Sequence, residues 1–228
     1  MIVIETASPI LTKNFDLIVF DWDGTIMDST GLIAQCVQFA ARDIGWPVPD
    51  TQTAKSIIGL GLEDAVGRLF PDKTLAQYQE FAQKFRHYYV VRDHEAPLYS
   101  GISSLISRLH LGNCLTAVAT GKPRRGLDRA FAHTGLNQYL HFSRCADEGF
   151  AKPNPHMLFT IMEAAGVEAK RTLMIGDTTF DLQLAQNAGC KSVAVTYGAH
   201  DVATLHTVPA EAYLTDVSSL RQWIELHG

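Results

Sequence analysis

The chain has 228 residues, 46% of them hydrophobic, and a formal net charge of −5. A mean hydropathy of +0.02 excludes both a charge-rich disordered chain and a uniformly apolar membrane protein. The acidic balance gives no electrostatic footprint for nucleic acid or an anionic membrane, so a globular protein with small-molecule partners remains, built as one body or as a core with an inserted domain.

The N-terminal stretch MIVIETASPILTKN begins apolar but has neither a basic leader nor a long apolar run, so no secretory signal and a cytoplasmic location are expected. Next, FDLIVF at 15–20 ends abruptly in Asp21-Trp22-Asp23-Gly24-Thr25, which predicts a buried strand running into a polar turn. From Ser29 to about Tyr99 the pattern changes. Amphipathic segments near 30–44, 51–58, 62–70 and 74–91 are separated by Gly45, Pro47, Gly59, Gly61 and Pro71, which reads as a helical insertion. Tyr78, Phe81, Phe85, Tyr88 and Tyr89 recur there at helical spacing and are assigned to packing.

Beyond the insertion, apolar runs at 115–119, 173–175 and 192–195 alternate with helical stretches near 123–134, 155–165 and 180–188, the pattern of a parallel α/β sheet. Asn154-Pro155 fits an N-cap followed by a proline at the first helical position, and Gly135, Gly166 and Gly189 stand where helices should stop. Cys36, Cys114, Cys145 and Cys190 form no C-x-x-C pair and read as reduced thiols. The nine histidines have no zinc-ligand spacing. In an open parallel sheet, ligands bind outside the carboxyl ends of the strands. Asp21, Thr120 and Asp177 each follow a predicted strand, and Lys152 precedes a helix on the same side, so one rim could collect all four.

In that order, Asp21-Trp22-Asp23-Gly24-Thr25, Thr120, Lys152-Pro153-Asn154-Pro155 and Gly176-Asp177-Thr178-Thr179-Phe180-Asp181 resemble the four motifs of the haloacid dehalogenase-like hydrolase superfamily. The resemblance is closest to its phosphoglycolate phosphatase-like branch and covers about residues 15–225. It implies an α/β fold: a Rossmann-like parallel sheet core with helices on both faces and an inserted α-helical cap domain. Residues 1–28 and 98–228 would form the catalytic core and 29–97 the cap. The implied activity is a magnesium-dependent phosphoric monoester hydrolase acting on a small phosphorylated metabolite, with phosphoglycolate-like compounds among the candidates.

The implied roles follow the needs of phosphoryl transfer: a positioned nucleophile, charge cancellation on the phosphoryl oxygens and a proton for the leaving group. Asp21 would attack phosphorus, and Asp23 would protonate the leaving oxygen and later take a proton from water. Mg2+ would be held by the Asp21 side chain, the Asp23 carbonyl and the Asp177 side chain, with Asp181 holding a bound water or pairing with Lys152. Thr120 and Lys152 would bind and neutralise the phosphoryl group. Gly24, Thr25, Gly121 and Lys122 complete the substrate-binding set, chiefly through backbone N–H groups near the turns.

Related phosphatases often carry Thr-Asn-Lys at the second motif, where this chain has Thr120-Gly121-Lys122, and Trp22 is bulky at a variable position. A phosphomutase or a phosphonate-cleaving enzyme of the same fold is the nearest alternative. The mutase would call for a histidine where Gly31, Leu32 and Ile33 stand. A dehalogenase would not need Asp23, since a halide leaves without a proton. A non-catalytic ligand-binding protein is the reading outside enzymes. Lys55, Arg68, Arg86 or Arg92 could meet a second anionic group of the substrate, the cap loop Gly59-Leu60-Gly61 could face the rim, and hinges near Ser29 and Pro97 could let the cap close. A monomer is expected.

Overall fold

Every residue of the first strand, β1 (Leu17–Phe20), is buried, because both faces of the sheet it joins are covered by helices. The computed structural model describes residues 8–228, so the first seven residues of the N-terminal stretch read above lie outside it. β1 lies inside a six-stranded sheet of order β3 (Phe142–Cys145), β2 (Leu115–Thr120), β1, β4 (Thr172–Gly176), β5 (Lys191–Val195) and β6 (Tyr213–Leu214). All neighbours pair in parallel.

The two-residue period of a strand sorts the core into two layers. Leu17 and Val19 pack with α7 (His156–Ala165) and α8 (Thr179–Ala188). Ile18 and Phe20 point the other way, into a cluster built with α5 (Ile102–Leu111), α6 (Arg124–Thr134) and α10 (Val217–His227). This is the α/β class that the sequence predicts. Trp22 belongs to the second cluster, fully buried and edge-on to Phe131 at 5.4 Å, so its bulk anchors the turn after β1 to the core.

Between β1 and α5 the chain forms α1 (Thr30–Asp43), α2 (Thr51–Lys55), α3 (Leu62–Leu69) and α4 (Leu75–Val90). These helices build a hydrophobic cluster of their own, to which Phe180 of α8 is the one buried contributor from outside the insertion among the described residues. The two connecting segments run side by side. Met27 and Leu98 form an antiparallel bridge, the Asp28 N–H donates to Pro97 O at 2.9 Å, and the Tyr99 N–H donates to Ile26 O at 3.0 Å.

Several elements differ from the sequence reading. The helix expected over 51–58 ends at Lys55. Asn154 accepts from the His156 N–H at 3.0 Å, but Pro155, not Asn154, is the N-cap, and the helix begins at His156, one residue later than the proline rule placed it. α5, the four-residue α9 (Val202–Leu205), α10, β3 and β6 are not among the elements the sequence predicts; β3 is a four-residue strand carrying Ser143 and Arg144, and β6 spans two residues, too short for a periodic signal. The four cysteines are free thiols, and no helix among the described residues is long and apolar enough to cross a membrane.

Candidate active site

Parallel register sets the rim. Phe20 pairs with Val118 on one side and with Ile175 on the other, so the chain leaves β1, β2 and β4 at nearly one level. Asp21, Thr120 and Asp177 therefore emerge together, all but inaccessible to solvent. Gly24, at φ +92°, turns the chain directly over Asp177: a Cβ there would lie 2.1 Å from Asp177 Oδ2. Gly198 approaches the same oxygen from the other side, where a Cβ would lie 2.2 Å away. The Asp177 carboxylate is held in this cradle by the Thr25 hydroxyl, donating to Oδ1 at 2.8 Å, and the Ala199 N–H, donating to Oδ2 at 2.7 Å.

Lys152 is fully buried and donates to Asp21 Oδ1 at 2.7 Å and to Asp181 Oδ1 at 2.6 Å. Asp181 also accepts from the Thr178 N–H and hydroxyl at 3.0 and 2.7 Å, closing the capping box that starts α8. Burial alone would lower the Lys152 ammonium, but Asp181 and Asp21 outweigh it and hold it above its usual value. Burial raises Asp21 to about 7 against the pull of Lys152, with Asp181 and Asp23 pushing it further up. Burial likewise raises Asp177 well above the usual carboxylate range, reinforced by Asp21 and Asp181.

This cluster is short of positive charge. Oxygens of Asp21, Asp177 and Asp181 lie within 4.8 Å of one another, and the one ammonium among them, that of Lys152, pairs with Asp21 and Asp181 but not with Asp177. Asp21 Oδ2 is buried with no hydrogen-bond partner. An all-oxygen donor set without histidine or cysteine suits a hard divalent cation, so the residues fit such an ion on chemical grounds. Asp21 and Asp177 have acceptor capacity to spare for it. Asp181 accepts three bonds, one on Oδ1 and two on Oδ2, against one on each Asp177 oxygen, so of the three carboxylates it has the least acceptor capacity left.

Asp23 faces a different set of partners. The Ser29 hydroxyl donates to its Oδ1 at 2.7 Å, Lys122 Nζ lies 3.0 Å from its Oδ2, and the Tyr89 hydroxyl lies 3.5 Å from Oδ1. Lys122 Nζ also donates to the Tyr89 hydroxyl at 2.9 Å and sits 4.7 Å from the ring centroid. Burial raises the Tyr89 phenol to about 12, with Asp23 adding to it, so it stays a neutral hydroxyl. Two expectations change here. Tyr89, read as packing, brings a polar atom from the insertion into the site. The Gly24 N–H donates to Met27 O at 2.8 Å and the Thr25 N–H points to Trp22 O at 3.4 Å, so neither is free for a ligand. The Asp23 and Gly121 amides, by contrast, make no backbone bond among the described residues.

Thr120 accepts from the Lys122 N–H at 3.2 Å and keeps its own proton to donate. Beside it, the loop at Gly59-Leu60-Gly61 does reach the rim. A Cβ on Gly121 would lie 2.6 Å from Gly59 O and 2.7 Å from Leu60 O, so the absence of a side chain there is what lets the loop sit down on the second motif. Of the basic residues singled out in the insertion, Arg86 borders the cleft above Asp21 and Asp23. Arg68 lies over the Phe180 ring at 4.9 Å and Arg92 is bound to Glu95 at 3.0 Å, while Lys55 does not line the cleft.

Three contributors escaped the sequence reading. Ser29 looks like an N-cap, but its hydroxyl makes no cap bond and turns to Asp23 instead. Tyr89 shares its helical spacing with packing residues. Gly198-Ala199, after β5, carries no motif signal beyond a glycine past a strand.

A family model described as haloacid dehalogenase-like hydrolase matches residues 18–195. The phosphoglycolate phosphatase of Aliivibrio fischeri is 31% identical over 82% of this chain and 86% of its own length. The probable phosphatase IndB of Dickeya dadantii is 29% identical over 90% of this chain and 91% of its own. The crystal structure of a predicted phosphatase from Clostridium acetobutylicum superposes with a TM-score of 0.84, at 23% identity, covering 93% of this chain and 99% of that one. That last likeness establishes the fold.

Proposed function

The chain belongs to the haloacid dehalogenase-like hydrolase family, as a phosphatase, and from that premise we propose that Asp21 is the nucleophile of a magnesium-dependent hydrolysis of a small metabolite's phosphate ester. The observation that carries this reading is the Asp21 carboxylate itself: one oxygen fixed by Lys152 at 2.7 Å, the other buried without a partner at the floor of a cleft.

In the first step an Asp21 oxygen forms a bond to phosphorus while the bond from phosphorus to the leaving oxygen breaks, and Asp23 gives that oxygen a proton. In the second, Asp23 takes a proton from water as the water attacks the aspartyl-phosphate, releasing phosphate and restoring Asp21. Thr120 donates its hydroxyl to the transferring group, the Asp23 and Gly121 amides add donors, and Lys152 balances charge without changing protonation. Ser29 and Lys122 orient Asp23. Mg2+ bound by the Asp21 and Asp177 side chains and the Asp23 carbonyl would neutralise charge on Asp21 and the phosphoryl oxygens.

Residues 29–97 serve in this reading as the cap domain over a core of 1–28 and 98–228. Phosphoglycolate heads the substrate panel because relatives such as that of A. fischeri are named for it. The test is phosphate release from a panel of esters with and without Mg2+, beside Asp21→Asn. Release that needs both the metal and Asp21, and falls by about 10⁴-fold or more in the variant, supports the reading. Release that persists in Asp21→Asn overturns it.

A further inference from the structure

The cleft that opens above Asp21, Asp23 and Thr120 has a volume of about 1070 Å³, just above the roughly 300–1,000 Å³ range of sites for drug-sized ligands. A two-carbon acid phosphate would fill a small part of it. Its upper wall belongs to the helical insertion and is apolar: Ile58, Leu60, Leu62, Val66 and Phe85 line it, and the Tyr89 ring stacks on Phe85 with centroids 5.5 Å apart. Leu62 and Phe85 are only half-buried, so apolar surface stands open toward the reacting groups.

The charges around the cleft do not favour a second anion. Lys152 is committed to Asp21 and Asp181, and Lys122 to Asp23 and Tyr89, so neither buried cation beside the reacting position is free for a carboxylate. Further out, the lining sets Glu63, Asp64 and Asp147 against Arg86, Arg125 and Arg129, the last of them paired with Asp93 at 3.0 Å, so it carries no excess of positive charge. Apolar wall and catalytic floor are one continuous cavity, which identifies the wall's occupant as the part of the substrate that departs from phosphorus.

Resting on the phosphatase reading above, we infer that the preferred substrate is the phosphate monoester of an alcohol with an extended apolar body, alkyl or aromatic, which lies against the α3–α4 face of the insertion. Each buried methylene then improves kcat/KM by up to about fourfold.

The experiment is steady-state hydrolysis by the full chain with Mg2+ on n-alkyl phosphates from methyl to octyl, with phosphoglycolate and p-nitrophenyl phosphate alongside. A rise of about two- to fourfold per methylene, with octyl phosphate ahead of phosphoglycolate, is expected. Leu62→Asn should lower the octyl-to-methyl ratio of kcat/KM about tenfold. Asp21-dependent hydrolysis of p-nitrophenyl phosphate with a flat alkyl series, or with phosphoglycolate ahead of octyl phosphate, overturns this inference and leaves the phosphatase reading standing. Hydrolysis of none of the esters overturns both. The wild-type series decides the matter even if the variant does not fold.

Discussion

The sheet rim and the face that the insertion turns toward it are built on opposite principles. At the rim nearly every polar atom is tied: Lys152 to two carboxylates, Asp177 to a hydroxyl and an amide, Asp181 to Lys152 and its own capping turn. Across the cleft the wall is largely apolar, and Tyr89 is its polar link to Asp23 at the rim, through Lys122. Bonds fixed before substrate arrives suit a reaction whose charges appear at fixed points, whereas an apolar wall gains affinity from area and tolerates variation in shape. In the proposed reaction this contrast would separate the phosphoryl chemistry from the choice of carrier.

Substitutions on the two sides should therefore fail differently. The largest effect belongs to Lys152→Met, which strands Asp21 and Asp181 as unpaired buried carboxylates; a loss of about 3–5 kcal/mol in unfolding free energy is expected from denaturant titration. Gly198→Ala pushes a methyl into Asp177 Oδ2, costing about 1–3 kcal/mol and weakening Mg2+ binding about tenfold by calorimetry; unchanged metal affinity would break the link between the glycine cradle and the ion site.

On the boundary, Gly121→Asn collides with the Gly59 and Leu60 carbonyls and should lift the insertion from the rim. We expect kcat/KM to fall about tenfold, about 1.4 kcal/mol, and small-angle scattering to report a larger radius, with rotation near Ser29 and Pro97. Equal scattering would mean that the loop yields locally. Smallest is Tyr89→Phe, which removes one hydroxyl from Lys122 and Asp23 and should cost about 1 kcal/mol, roughly fivefold in kcat, with little change in melting temperature.

How much was legible beforehand depended on how local each signal is. β1 and the turn after it could be read because a buried β-branched run ending in Asp-x-Asp-Gly-Thr states strand, stop and chemistry within eleven residues. β3 could not, since a short, half-exposed edge strand with Ser143 and Arg144 has no apolar alternation to detect. A single lysine carries no site signal of its own, and only its place in the ordered motifs marks Lys152. The N–H donors of Gly24 and Thr25 were misjudged because a turn's own internal bonds are invisible in a list of residue types. Among the insertion's basic residues, side-chain charge said nothing of direction: Arg68 turned to an aromatic ring and Arg92 to a carboxylate.

By itself the sequence determined the parallel α/β core, the inserted helices and the acidic residues at the strand ends, because strand period, helix period and the strand-end turn are all set by near neighbours along the chain. Only the tertiary structure decided that Tyr89 would meet Asp23 across 66 residues, that Ser29 would serve Asp23 instead of its helix, and that Gly121 would lie under the Gly59-Leu60 carbonyls. Each of those contacts joins the insertion or its hinge to the rim. A helix's period specifies which face is buried but not what lies opposite it, and that partner is fixed by the packing of the whole insertion against the sheet.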